Sequence, residues 1–126
     1  MAISHSQAAK QAATNAVVDL VDAGSGAGYI TICDGTDVLA TLTCNDPAFG
    51  AADANGTATL DVDPAISATA SGNGTADNFK VYDSDDTLIF SGTVGTSGAD
   101  MTVDNTSINS GQTVSLTSFT YDSAEA

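Results

Sequence analysis

The pattern of apolar and polar positions divides the chain into one helical segment followed by many short strands. Between residues 8 and 21, alanine, valine and leucine recur at helical spacing. Ser4 or Ser6 can cap the first turn, and glycines follow the last turn at positions 24, 26 and 28. We therefore predict an α-helix over residues 5–23. Its small alanines would allow it to pack closely, either against the core of its own subunit or against a partner.

A first β-hairpin is predicted immediately after the helix. Residues 29–33 and 38–44 are rich in β-branched and apolar side chains, and they flank a turn at 34–37. A turn centred on Gly35 and Thr36 predicts three cross-strand pairs. These are Cys33 with Val38, Thr31 with Ala40, and Tyr29 with Leu42. Cys44 would then lie on the same face as Cys33 but about 20 Å away along the ladder, too far for a disulfide. We expect two free, buried thiols.

A second hairpin is predicted around the acidic segment 83–86. Residues 78–82 and 87–91 flank it, and pairing across the turn sets Val81 against Leu88 and Phe79 against Phe90. These four side chains share one face. The hairpin is therefore the predicted centre of the core.

Further short strands complete a mainly β chain. They are predicted at 57–62, 65–70, 101–103 and 113–121, and a change of side-chain parity in the last indicates a β-bulge near Thr117 and Ser118. Strands of this number and spacing are typical of an antiparallel two-sheet β-sandwich, Ig-like or jelly-roll. We predict a single domain over 1–126, with the sandwich at 28–121 preceded by the N-terminal helix.

The charge of the chain narrows its possible partners. Sixteen acidic residues face two basic ones, and the net charge is −14. Such a surface repels nucleic acid and anionic lipid, so we expect neither as a partner. No segment reaches the ~20 apolar residues of a membrane span. The N-terminus lacks the pattern of a secretory signal, and synthesis in a cytoplasm is expected. A thin apolar core also favours association with copies of itself or with a larger assembly.

The sequence predicts no catalytic site and no cofactor. It contains one histidine, no arginine, no serine in an elbow motif and no helix with paired carboxylates. Asp83 and Asp85, with Asp86, have the spacing that opens a calcium loop. Leu88 and Val94 occupy the places where such a loop requires glycine and glutamate. An Asp-rich turn is therefore the favoured interpretation, and the three aspartates remain weak candidates for a divalent cation.

Five segments together resemble a family of small virion structural proteins of tailed bacteriophages. The helix and its end at 12–26 are followed by DPAFGAA at 46–52, FKVYDSD at 79–85, FSGTVGTSGADM at 90–101 and INSGQTVSLTSFT at 108–120. The resemblance covers nearly the whole chain, and its motifs are turn and core signatures. It implies a structural part of a phage particle that is assembled in the host cytoplasm.

The resemblance and the charge lead to the same expected function. We expect a capsid decoration, or cement, protein on the outer capsid surface that clamps neighbouring copies of the major capsid protein. The expected contacts are the helix, the edge strands and the aspartates of two turns, which would meet basic groups on the shell. These aspartates are Asp34, Asp37, Asp83 and Asp85, with Asp86 beside them. The alternatives are a tail or fibre component, or a cation- or glycan-binding sandwich for host attachment.

Overall fold

One helix and eleven short strands make up the described part of the fold. The computed structural model describes residues 6–46, 48–54, 56–62, 66–103, 105–116 and 119–122. Helix α1 spans Gln7–Val21, and the Ser6 side chain caps it by accepting a 3.1 Å hydrogen bond from the Ala9 amide. The predicted helix is confirmed, although position 5, where it was expected to begin, lies outside the described residues. No helix in the described part of the chain is long and apolar enough to cross a membrane.

The side of α1 that packs on the core is not the alanine stripe. Thr14, Val18 and Val21 are buried, whereas the alanines at 8, 9, 12, 13 and 16 are exposed. Valine buries more apolar area than alanine, so the side of α1 that carries the valines packs on the core. The helix thus covers part of the core of its own subunit, which was one of the two alternatives, but it does so through this side and not through the alanines.

The largest sheet contains five strands in the order β2-β1-β6-β7-β8. Their bounds are β1 Tyr29–Asp34, β2 Asp37–Thr43, β6 Asn78–Tyr82, β7 Leu88–Gly95 and β8 Met101–Thr102. The pairs β1–β2, β1–β6 and β6–β7 are antiparallel, but β7 and β8 are parallel. The sheet is therefore mixed, and the expectation of antiparallel pairing throughout is wrong at this edge.

The remaining strands form three two-stranded antiparallel sheets whose pairings are nested along the chain, and we call them together the nested ribbon. β5 (Gly74–Thr75) pairs with β9 (Ser107–Ile108), β4 (Ile66–Thr69) with β10 (Thr113–Leu116), and β3 (Thr57–Thr59) with β11 (Thr120–Asp122). Buried and exposed residues alternate along β10, so one face of the ribbon contacts the core. Residues 113–121 change partner strand after Leu116. The predicted bulge at Thr117 and Ser118 lies outside the described residues.

Both predicted hairpins exist, but bulges alter their registers. In the first, Cys33 pairs with Val38 as predicted, and then Ile32 pairs with Ala40, which leaves Leu39 as an extra residue. Thr31 and Tyr29 consequently face Thr41 and Thr43 rather than Ala40 and Leu42. The bulge buries Leu39 and Ala40 in succession, which strict alternation forbids.

In the second hairpin the predicted pairs are wrong by two positions. Val81 faces Phe90 and Phe79 faces Gly92, while Leu88 pairs with Tyr82 and is 49% exposed. The turn is one residue longer than predicted, and Ile89 is a bulge residue. The expectation that Leu88 belongs to the core is wrong, whereas Phe79 and Val81 are buried at its centre.

The core thiols are free and enclosed. Cys33 and Cys44 are both buried and unbonded to each other, as the sequence predicted. Burial raises the pKa of the Cys44 thiol to about 12, and the nearby charge of Asp22 adds to this. Cys44 is therefore a small apolar core residue at neutral pH.

Helix α1 holds the segment that precedes β3 through three polar side chains. Thr14 Oγ1 donates to the Gly56 carbonyl, Asn15 Oδ1 accepts from the Ala52 amide at 2.8 Å, and Asp22 Oδ1 accepts from the Ala48 amide at 2.9 Å. Desolvation raises the pKa of Asp22 above its usual 3.8, and Asp46 and Asp19 raise it further against the lowering effect of the amide. The helix is thus fastened to the body by side-chain-to-backbone bonds as well as by apolar packing.

Candidate docking surfaces and an aromatic cleft

Hydrogen bonds hold the acidic turn between β1 and β2 in a defined conformation. Asp34 Oδ2 accepts a 3.2 Å hydrogen bond from the Thr75 amide, while Asp37 is exposed. A third carboxylate joins them, because Asp77 Oδ1 accepts from the Gly35 amide at 3.1 Å and from the Asn78 side chain. These two bonds, the Asn78 bond first, lower the pKa of Asp77 below 3.8. Sequence reasoning did not include Asp77, since its turn partner lies more than forty positions earlier in the chain.

The acidic turn between β6 and β7 is organised by one of its own aspartates. Asp83 is buried, and its Oδ1 accepts from the amides of Asp85 and Thr87 at 2.9 Å each. Asp86 has a left-handed backbone with φ of 68°, and its Oδ1 accepts a 2.7 Å hydrogen bond from the Tyr29 hydroxyl. That bond is the main reason that the pKa of Tyr29 rises to about 12. Asp85 is exposed to solvent.

The candidate cation ligands Asp83, Asp85 and Asp86 do not assemble into a metal site in this structure. Across the described residues, no three or more His, Cys, Asp or Glu side chains are placed to hold a metal ion. Asp83 and Asp86 instead use carboxylate oxygens to shape the turn and to bind Tyr29. The turn is therefore an anionic surface whose backbone is held by its own side chains.

The two acidic turns lie at opposite ends of the sheet. Tyr29 pairs with Tyr82 at one end of β1, and Cys33 pairs with Asn78 at the other. Asp83, Asp85 and Asp86 follow the first pair, whereas Asp34, Asp37 and Asp77 surround the second. From Tyr29 to Asp34 there are five residue steps of ~3.4 Å, so the two ends of β1 are roughly 17 Å apart. The structure does not bring the four predicted partner-binding aspartates, Asp34, Asp37, Asp83 and Asp85, into one patch.

The outer face of α1 is apolar and uncovered within the subunit. Ala9, Ala13 and Ala16 follow one side of the helix, and Leu20 continues the same line and is 50% exposed. We call these four residues the outer helix face. The three alanine side chains are small enough to allow another surface to come close to the helix backbone.

A cleft beside β7 is lined by aromatic rings. Five rings form a contiguous cluster, in which Phe119 contacts Phe79 at a centroid distance of 5.2 Å and Phe49 at 5.9 Å. Phe90 and Tyr121 close the cluster at 4.4 Å from each other, and both are only partly buried. A cleft of about 330 Å³ opens over these two rings. Its polar wall consists of Ser91, Asp100 and Thr120.

Asp100 is fixed at the wall of this cleft by Thr93. Its Oδ2 accepts from the Thr93 amide at 3.0 Å and from the Thr93 hydroxyl at 3.3 Å, and its own amide donates to that hydroxyl at 3.1 Å. Gly92 makes the arrangement possible, because a Cβ there would lie 2.7 Å from both Asp100 Oδ2 and the Phe79 ring. Sequence reasoning missed this cleft. Its residues come from four separate segments, and the aromatic residues are too widely spaced in the sequence to indicate a cluster.

The comparisons with known proteins give no relative on which to base a function. No protein-family model, no curated protein and no solved structure matches the chain. The case for function therefore depends on the geometry and charge described above.

Proposed function

We propose that this protein is a non-catalytic structural component of a phage virion, and that it decorates the outer surface of the head shell. Its partner in this proposal is the major capsid protein, with further copies of the chain alongside. The observation that carries the proposal is the outer helix face, whose four apolar residues are exposed rather than packed on the subunit's own core. A surface of this kind is best explained by a partner that covers it.

The distribution of charge supports a basic partner. With −14 of net charge and acidic turns at both ends of the sheet, copies of the chain repel each other through those ends. A shell protein that presents basic groups would bind the turns containing Asp34, Asp37, Asp83 and Asp85. Apolar contacts at Leu20 would then supply most of the affinity, and the charges would supply orientation and speed of association.

The proposal includes a β-sandwich as the finer architecture. In it the five-stranded sheet is one layer and the nested ribbon is the other, and the helix covers one end. Support comes from the buried residues of both, since Ile30 and Val81 of the sheet join Ile66, Leu116 and Phe119 of the ribbon region in a single core cluster. A sandwich of this kind would present its loops and helix to a shell.

Rebinding to stripped shells tests the function. Purified protein should co-sediment with capsids from which the native decoration has been removed, and its affinity should fall as salt rises because the charges are screened. Leu20→Asp should weaken binding roughly ten-fold or more, since a leucine contact stabilises by about 1.5–3 kcal/mol when buried. Ser67→Asp is the matched control, because it adds the same charge at an exposed position of β4. Failure of the unaltered chain to rebind at any salt would remove the proposal.

One observation favours a second candidate, a cation- or glycan-binding module for host attachment. That observation is the aromatic cleft with its carboxylate, which the shell proposal does not require.

A tail or fibre location is separated from the head by copy number per particle: hundreds indicate the shell, and a few dozen indicate the tail.

A further inference from the structure

We propose that the aromatic cleft binds the guanidinium group of an arginine side chain from a different protein. Phe90 and Tyr121 form its floor, and Asp100 forms its charged wall. The proposal depends on the cleft alone. It can therefore fail while shell binding succeeds, and it can hold if the shell proposal fails.

The carboxylate of Asp100 is held in place by hydrogen bonds, but one of its oxygens can still accept a bond from a ligand. Thr93 makes three hydrogen bonds to the residue, all through Oδ2 or the Asp100 amide. Oδ1 accepts none among the described residues, so one oxygen of a positioned acid is available to a ligand at the cleft. Among the described residues that line the cleft, Asp100 is the one carboxylate.

The floor of the cleft suits a flat, weakly hydrated cation. Phe90 and Tyr121 are partly exposed, and they line the cleft together with the buried residues Phe79 and Phe119. Guanidinium stacks on aromatic rings and pairs with carboxylates, and its thin hydration shell lowers the cost of entering a partly apolar site. A lysine ammonium is more strongly hydrated and lacks the planar shape.

Charge and composition decide the source of the ligand. The net charge of −14 raises the local concentration of cations over the whole surface. These 126 residues contain no arginine, so the same residues of a second copy do not supply one. The proposal therefore assigns the side chain to a different protein. At about 330 Å³ the cleft is at the lower end of the size of ligand sites, which suits one side chain rather than an extended ligand.

An NMR titration that compares an arginine derivative with its uncharged citrulline analogue tests the proposal. Nα-acetyl-arginine N-methylamide and its citrulline counterpart have almost the same shape, but only the first is charged. We expect saturable shifts at the amides of Ser91, Asp100 and Tyr121 with arginine, and roughly three- to ten-fold weaker binding with citrulline. Asp100→Asn keeps an acceptor for Thr93 and should abolish this preference. Asp46→Asn removes the same charge from an exposed site that does not line the cleft, and it should retain the preference.

Several results would overturn the arginine site. These are equal binding of arginine and citrulline, an equal loss of preference in both variants, or no saturable shift at any arginine concentration. A methyl glycoside that shifts the same amides more strongly than arginine would show that the cleft is a sugar site. Because every measurement uses the isolated, folded protein and its own spectrum, each variant is checked for folding in the same experiment.

Discussion

Gly28 is the point where the end of the helix meets the sheet, and its replacement by alanine should be among the most damaging single changes. A Cβ at this position would lie 2.6 Å from Val21 Cγ1, 2.7 Å from the Val21 carbonyl oxygen and even closer to the Tyr82 carbonyl oxygen. Two of these three atoms are backbone, so relief requires movement of the chain rather than a change of rotamer. We expect Gly28→Ala to lower the free energy of unfolding by about 3 kcal/mol, the upper end for overpacking.

Gly26 supplies a matched control two residues away in the same linker. A Cβ at Gly26 meets nothing within 4 Å, and the backbone there is not left-handed. Gly26→Ala should leave stability unchanged or raise it by up to ~1 kcal/mol, because alanine restricts the unfolded chain. The identical chemical change is therefore expected to destabilise the protein at Gly28 but not at Gly26.

Urea unfolding followed by circular dichroism measures both variants. With a slope of roughly 2 kcal/mol per molar urea, the Gly28→Ala midpoint should fall by ~1.5 M. A Gly28→Ala variant that is already unfolded in buffer agrees with the reasoning, provided that Gly26→Ala folds. A Gly28→Ala midpoint equal to that of the unaltered protein would refute the claim that the helix docks at this glycine.

Two further predictions concern pH. The folded-state pKa of Asp22 is raised above 3.8, so its favourable contribution is fully present below pH 3.8 and is lost as the pH rises through the folded value. Asp22→Asn should therefore be more stable than the unaltered chain at pH 7 and no more stable near pH 3. Urea unfolding midpoints measured at the two pH values check this. Equal midpoints of the two proteins at pH 7 would contradict it. Tyr29 should ionise near pH 12 in an ultraviolet titration, and Asp86→Asn should bring it back toward 10.0. Its contribution to stability is present below pH 10.0 and is lost as the pH rises through about 12, and ordinary titration of Tyr29 in the unaltered chain would disprove the Asp86 bond.

The positions of the helix and of both hairpins were predictable from the sequence because they follow local rules, whereas β5 and β9 were not predicted. Periodicity and a serine cap placed the helix, and acidic turns between apolar runs placed both hairpins. Registers depend on where a bulge forms. Leu39 and Ile89 are the extra residues of their hairpins, because strict alternation along each strand competes with the burial of side chains in the core. Such competition is not visible in the alternation of a single strand.

The candidate site was predictable only in part, for the same reason. Turn aspartates could be named individually, but their division between two ends of the sheet follows from the β1–β6 pairing, which joins segments far apart in the chain. The cleft was even less predictable from the sequence than the grouping of the aspartates. Asp100 reaches it through the parallel step from β7 to β8, and Tyr121 reaches it through pairing with β3. Neither connection has a local sequence signal.

The nested ribbon implies an order in which the protein can acquire its structure. The β5–β9 pair encloses the shortest stretch of chain, β4–β10 encloses it, and β3–β11 encloses both. Closing a loop costs more entropy the longer it is, so each inner pair that forms shortens the effective loop of the next. Zipping should therefore proceed outward from the β6–β7 hairpin. Because most of these contacts are distant in sequence, refolding is expected on the millisecond-to-second scale of all-β domains.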